Sequence, residues 1–67
     1  MIVLNGESSE LQAGQTVAAV LLSLGLTVQA PGVAVAVDGE VVPRAHWESF
    51  ALADGARVEV LTAMQGG

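Results

Sequence analysis

Apolar residues fall along this chain in short runs of two different periods, and each change of period marks an element. Ile2-Val3-Leu4 is a run of β-branched and aliphatic residues that predicts a strand. Asn5-Gly6 follows, a strong hairpin signal because both residues tolerate positive φ. Glu7 to Leu11 is the expected partner strand, polar enough to lie at an edge. Gln12 to Gln15 then turn the chain through Gly14.

The stretch Thr16 to Leu26 carries the helical period. Val17, Val20, Leu21 and Leu24 follow the i, i+3, i+4, i+7 spacing of a buried stripe. Thr16 is placed to cap the N-terminus with its hydroxyl, and Gly25 stands where a left-handed C-terminal residue belongs. Ala19 holds the third helical position, so there is no acid for a capping box.

Beyond a loop from Thr27 to Gly32, the period shortens to two. Val33, Val35 and Val37 alternate with Ala34 and Ala36, so both faces of this strand are apolar. That pattern predicts a central strand, or one whose outer face meets a partner. Asp38-Gly39 is a second hairpin turn, leading to Glu40, Val41 and Val42 before Pro43 stops the ladder. Arg44 to Phe50 reads as irregular or a single helical turn, with Trp47 and Phe50 as core caps. After a third turn signal at Asp54-Gly55, Arg57 to Leu61 alternates again, with Val58 and Val60 facing inward.

Strands surrounding one main helix predict an α+β domain: a curved mixed sheet of about five strands with the helix on one face. A crossover through the helix allows the first and last strands to lie side by side and parallel. A β-grasp, ubiquitin-like arrangement fits this order in 67 residues. One domain spanning 1–67 with a flexible C-terminal tail at 62–67 is the expected organisation.

Composition narrows the function classes. With 0 Cys and 1 His, disulfides are excluded and a zinc cage is not expected. The net charge of -5 has the wrong sign for a phosphate backbone, so no nucleic-acid partner is expected. The longest apolar stretches, Val17 to Leu22 and Val33 to Val37, are far below the ~18 residues of a membrane span. No basic residue precedes Ile2-Val3-Leu4 as a signal peptide would require, so a cytoplasmic domain is expected.

An autonomous enzyme is disfavoured by the same inventory. A nucleophile needs a base within hydrogen-bond reach, and His46 is the only histidine. Asp38 and Asp54 are accounted for by their Asp-Gly turns, Glu59 by strand alternation, and Glu7 and Glu10 by a solvated edge. No catalytic residue is assigned.

The C-terminus differs. Gln65-Gly66-Gly67 follows the last strand, and two successive terminal glycines arise by chance in roughly 0.5% of chains. A frayed tail fits these residues, and so does an arm with a reactive carboxylate at its tip. Glycine has no Cβ and suits threading through a narrow channel. Extended, Ala63 to Gly67 would reach ~17 Å.

The segments N-G-E at Asn5 to Glu7, A-G-Q-T-V at Ala13 to Val17, V-A-V-D-G-E-V-V-P-R-A-H-W at Val35 to Trp47, and L-A-D-G-A-R-V-E-V-L-T-A-M-Q-G-G at Leu52 to Gly67 carry a resemblance. Over nearly its whole length the chain resembles the ThiS family, the ubiquitin-like sulfur carriers of thiamine biosynthesis. Two positions depart from the family pattern. Asp38 stands where members often have Asn, and Ala56 where an acid commonly follows the turn glycine.

The resemblance implies a mechanism. An E1-like adenylating enzyme of the ThiF type uses Mg-ATP to adenylate Gly67, a persulfide sulfur displaces AMP to leave a thiocarboxylate, and a thiazole synthase of the ThiG type accepts the sulfur. Gly66, Gln65 and Met64 would thread the partner's channel. Leu61, Met64 and Arg57 are candidate contacts on the partner interface. The chain would bind no cofactor of its own, ATP and Mg belonging to the partner, and a further protein would donate the sulfur.

Within the same class, a carrier for another pathway such as molybdopterin synthesis is the alternative, as is a protein-conjugating modifier. From a different class comes a β-grasp binding module whose two glycines carry no chemistry.

Overall fold

The structure is a computed structural model that describes residues 1–10 and 14–63. Its elements are β1 (Ile2–Leu4), β2 (Glu7–Ser9), α1 (Val17–Ser23), β3 (Val33–Val37), β4 (Glu40–Val41), a single 3-10 turn at Arg44–His46, and β5 (Arg57–Thr62). The strands form one sheet in the order β2-β1-β5-β3-β4. β1 runs parallel to β5, and every other neighbouring pair is antiparallel. This is the expected β-grasp, with β5 at the centre.

Turn chemistry sets the hairpins. Asn5 and Gly6 both have positive φ, and so do Asp38 and Gly39. Two consecutive left-handed residues are what a two-residue hairpin needs to match the strand twist. The Asn5 and Asp38 side chains add a second function. Asn5 Oδ1 accepts the Val60 N–H at 2.8 Å, and Asp38 Oδ1 accepts the Arg57 N–H at 3.0 Å. Each turn therefore also supplies a rung to the central strand.

The helix begins as its sequence requires. Thr16 Oγ1 accepts the Ala19 N–H at 3.2 Å. The carbonyls of Phe50 and Trp47 accept the N–H groups of Val17 and Ala18, so the first-turn donors are all satisfied. At the other end Leu26 N–H donates to Leu21 O and Gly25 N–H to Leu22 O, the paired bonds of a Schellman motif around a left-handed Gly25.

Val17, Val20 and Leu21 are fully buried, packed with Ile2, Val35, Val58 and Trp47 in the core. Each such side chain contributes roughly 1.5–3 kcal/mol by leaving water. Trp47 also donates its Nε1–H to Val42 O at 2.8 Å, so its one polar atom is satisfied inside the core.

Several expectations are corrected. Leu24 is not part of the buried stripe: it is the C-cap and is exposed, and the turn at Gly25 gives its place against the core to Leu26. Phe50 is not a core cap. It lies at the exposed end of the 44–50 segment while Trp47 alone is buried. β2 ends at Ser9, and Leu11, Gln12 and Ala13 lie outside the described residues. β4 stops at Val41, although the buried Val42 still donates its N–H to Val35 O. β5 runs one residue further than expected, because Thr62 pairs with Val33. Among the described residues, no helix is long and apolar enough to cross a membrane.

Candidate functional site

The side chains of β5 alternate: Val58 and Val60 point into the core, while Arg57, Glu59 and Leu61 point to the open face of the sheet. Because β5 is central, its open-face residues have neighbours on both sides. Val3 of β1 lies opposite Arg57. On the other side Ala36 lies opposite Glu59, Ala34 opposite Leu61, and Val41 of β4 lies beyond Ala36.

Val41 and Leu61 are 76% and 68% exposed, and the two alanines between them are too small to rise above the sheet. The result is a flat, shallow apolar strip running from β4 to the end of β5, with Glu59 inside it and Arg57 at its far end. The alternating Val-Ala pattern of β3 signalled this open apolar face. Nothing in the sequence places Val41 or the two alanines beside Leu61; only the strand register does.

The strip ends where the chain leaves the sheet. Leu61 is followed by Thr62, the last residue of β5, and by Ala63, whose N–H donates to Gly32 O at 2.7 Å. Leu61 and Arg57 lie on one face of β5. Met64, Gln65, Gly66 and Gly67 lie outside the described residues.

The described residues offer no other site of comparable definition. No pocket opens among them, and no group of His, Cys, Asp and Glu among them is arranged to hold a metal. His46 is exposed on the 3-10 turn. The one ion pair among the described residues joins the Met1 ammonium to Asp54. That ammonium's hydrogen bond and then its charge hold the Asp54 carboxyl below its ordinary value of 3.8.

The family model of ThiS matches residues 2–67, through both terminal glycines. The chain belongs to the ThiS family. A thiazole synthase of Paramagnetospirillum magneticum is 36% identical over 66 residues, which cover 98% of this chain and 20% of that protein. The chain thus spans about a fifth of the length of that curated relative. Among solved structures it is similar to the thiamine biosynthesis protein ThiS of Geobacter metallireducens. The crystal structure of that protein is 31% identical with a TM-score of 0.74, covering 98% of this chain and 97% of that one. The solution NMR structure is 32% identical with a TM-score of 0.75, covering 98% and 86%.

Proposed function

We propose that this chain is a sulfur carrier for thiazole formation in thiamine biosynthesis, and that Gly67 is the residue that carries the sulfur. The observation that carries this reading is the family match over residues 2–67, which includes the terminal Gly-Gly. The Paramagnetospirillum magneticum relative supports the thiazole branch. There, a segment similar to this whole chain forms part of a protein named thiazole synthase.

In this reading the Gly67 carboxylate attacks the α-phosphorus of ATP on an E1-like adenylating enzyme and releases pyrophosphate. A persulfide sulfur attacks the acyl carbon and expels AMP. Reduction of the remaining S–S bond by a thiol leaves the thiocarboxylate. That group is anionic at neutral pH and softer than a carboxylate, so it is an effective sulfur nucleophile toward a thiazole synthase. The chain is a cosubstrate throughout, and catalysis, ATP and Mg belong to its partners.

The apolar strip of Leu61, Ala34, Ala36 and Val41 supports docking beside the arm, with Arg57 and Glu59 as its charged members. The net charge of -5 favours encounter with a basic partner surface.

Intact mass measures the outcome directly. Incubation with a ThiF-type enzyme, Mg-ATP and a persulfide donor should replace one oxygen by sulfur at Gly67. A mass that never changes under those conditions refutes the carrier reading. Deletion of Gly67 should abolish the change and leave the melting transition where it was.

A further inference from the structure

Resting on the carrier reading, we propose that the Pro31-Gly32 turn fixes the root of the C-terminal arm, with Gly32 as the positioning residue. Val33 and Thr62 form the last paired position of β3 and β5. Gly32, immediately before it, accepts the Ala63 N–H at 2.7 Å, so the ladder extends one residue past the end of β5. The chain is therefore held at Ala63, the residue that precedes the arm.

Gly32 is built for this contact. Its φ is +70°, and a Cβ there would lie 3.2 Å from Ala63 Cβ and 3.4 Å from Ala63 O. At every other glycine with positive φ among the described residues, an added Cβ would meet nothing within 4 Å. Elsewhere glycine serves the turn alone; at position 32 it also makes room for the residue at the base of the arm.

The turn is itself supported. Upstream, Leu26 and Val28 pack against the core. The Arg44 guanidinium donates to Val28 O and stacks over the Trp47 ring at 4.5 Å from its centroid. The Val-Pro-Arg segment thus holds the loop that holds the arm.

The consequence is geometric. With Ala63 fixed, Met64 to Gly67 span at most about 14 Å, and their origin relative to the Leu61 face is set. A carboxylate that must meet a phosphorus atom in line is sensitive to that origin, since a misplacement of ~1 Å can cost about 100-fold in rate.

The test uses Gly32→Asn, Ala63→Gly and the double variant. Asn tolerates positive φ better than other side-chain-bearing residues, so Gly32→Asn adds a Cβ at the smallest backbone strain, and Ala63→Gly removes the Cβ it would meet at 3.2 Å. Amide hydrogen exchange on the free protein and steady-state kinetics of thiocarboxylate formation are both read. Gly32→Asn should speed exchange at Ala63 by about 10-fold or more while Val58 and Val60 remain protected. The added Cβ displaces Ala63 by a few tenths of an ångström, so kcat should fall by about 3- to 10-fold while KM stays within about 2-fold, because the docking strip is untouched. The double variant should recover kcat to within about 1.5-fold of Ala63→Gly.

An unchanged kcat in Gly32→Asn despite faster exchange at Ala63 overturns the positioning role. So does an Ala63 amide that is unprotected in the parent protein. If the parent is never thiocarboxylated, the carrier reading fails and the positioning role fails with it, while protection at Ala63 still reports whether the anchor exists.

Discussion

Asn5 and Val60 lie fifty-five positions apart, and the Asn5 side-chain oxygen accepts the Val60 N–H at 2.8 Å. β1 has already turned away at this level, so no β1 carbonyl is available to the central strand. The side chain takes its place. Asp38 repeats the arrangement on the β3 side, accepting the Arg57 N–H at 3.0 Å. The central strand, which carries the open-face residues and leads into the arm, is thus held at two points by turn residues.

Asn5→Gly isolates this contact, because glycine keeps the positive φ and removes only the acceptor. Stability should fall by about 1–2 kcal/mol, the cost of leaving a part-buried N–H without its partner. Asn5→Asp should be milder, since a carboxylate oxygen does the same work at Asp38. Urea unfolding is the measurement, with the midpoint expected to move at constant slope.

Trp47 gives a larger effect. It is buried and satisfied by Val42 O, and Arg44 stacks on it. Trp47→Phe removes volume from a packed site and strands the Val42 carbonyl, so about 2–4 kcal/mol should be lost. Arg44→Ala loses an exposed cation–π contact and a hydrogen bond, costing about 1 kcal/mol. Far-UV circular dichroism follows both, because Trp47 is the only tryptophan and fluorescence would vanish with it.

Much of this was legible in the sequence because local chemistry decided it. Asn5-Gly6 and Asp38-Gly39 demanded left-handed turns and adopt them. Thr16 and Gly25 mark the two ends of the helix. The β1–β5 parallel pair followed from the crossover rule. What was not legible depends on contacts between distant positions. Leu24 and Leu26 have equal hydrophobicity, and only the path of the chain after Gly25 decides which one reaches the core. Phe50 has the composition of a core residue but the geometry of a segment end. Ala34, Ala36 and Val41 become a surface only when β3 and β4 are laid beside Leu61. In the sequence Gly32 reads as an ordinary turn glycine, and only the β3–β5 register sets Ala63 against it.

Asp54 provides the pH dependence. Its folded carboxyl is held below the ordinary value by the Met1 ammonium, so the pair adds stability above the unfolded value near 3.8 and loses it as pH falls further. Both groups are 66% and 79% exposed, so solvent screening keeps the contribution small. Asp54→Asn should be slightly less stable than the parent at pH 6, and the two should converge as pH falls below the ordinary carboxylate range and the carboxylate is protonated. Thermal melts across that range at low salt give the comparison, and 0.5 M salt should shrink the neutral-pH difference.

Leu61 separates docking from folding most cleanly. It is 68% exposed on the open face, so Leu61→Asp should shift stability by no more than about 0.5 kcal/mol. If the strip is where the adenylating enzyme seats, a charge at the end beside the arm must be desolvated on binding, and KM should rise about 10-fold or more. Arg57 lies at the end of the strip, where a charge reversal changes encounter more than adhesion. Arg57→Glu should therefore give a smaller, salt-dependent change. Val41→Asp, on the opposite end and equally exposed, tests the extent of the footprint. A KM that rises for Leu61→Asp alone confines docking to the root of the arm. A rise for both means the partner covers the sheet from β4 to β5. If neither variant changes KM, the strip is not the docking surface.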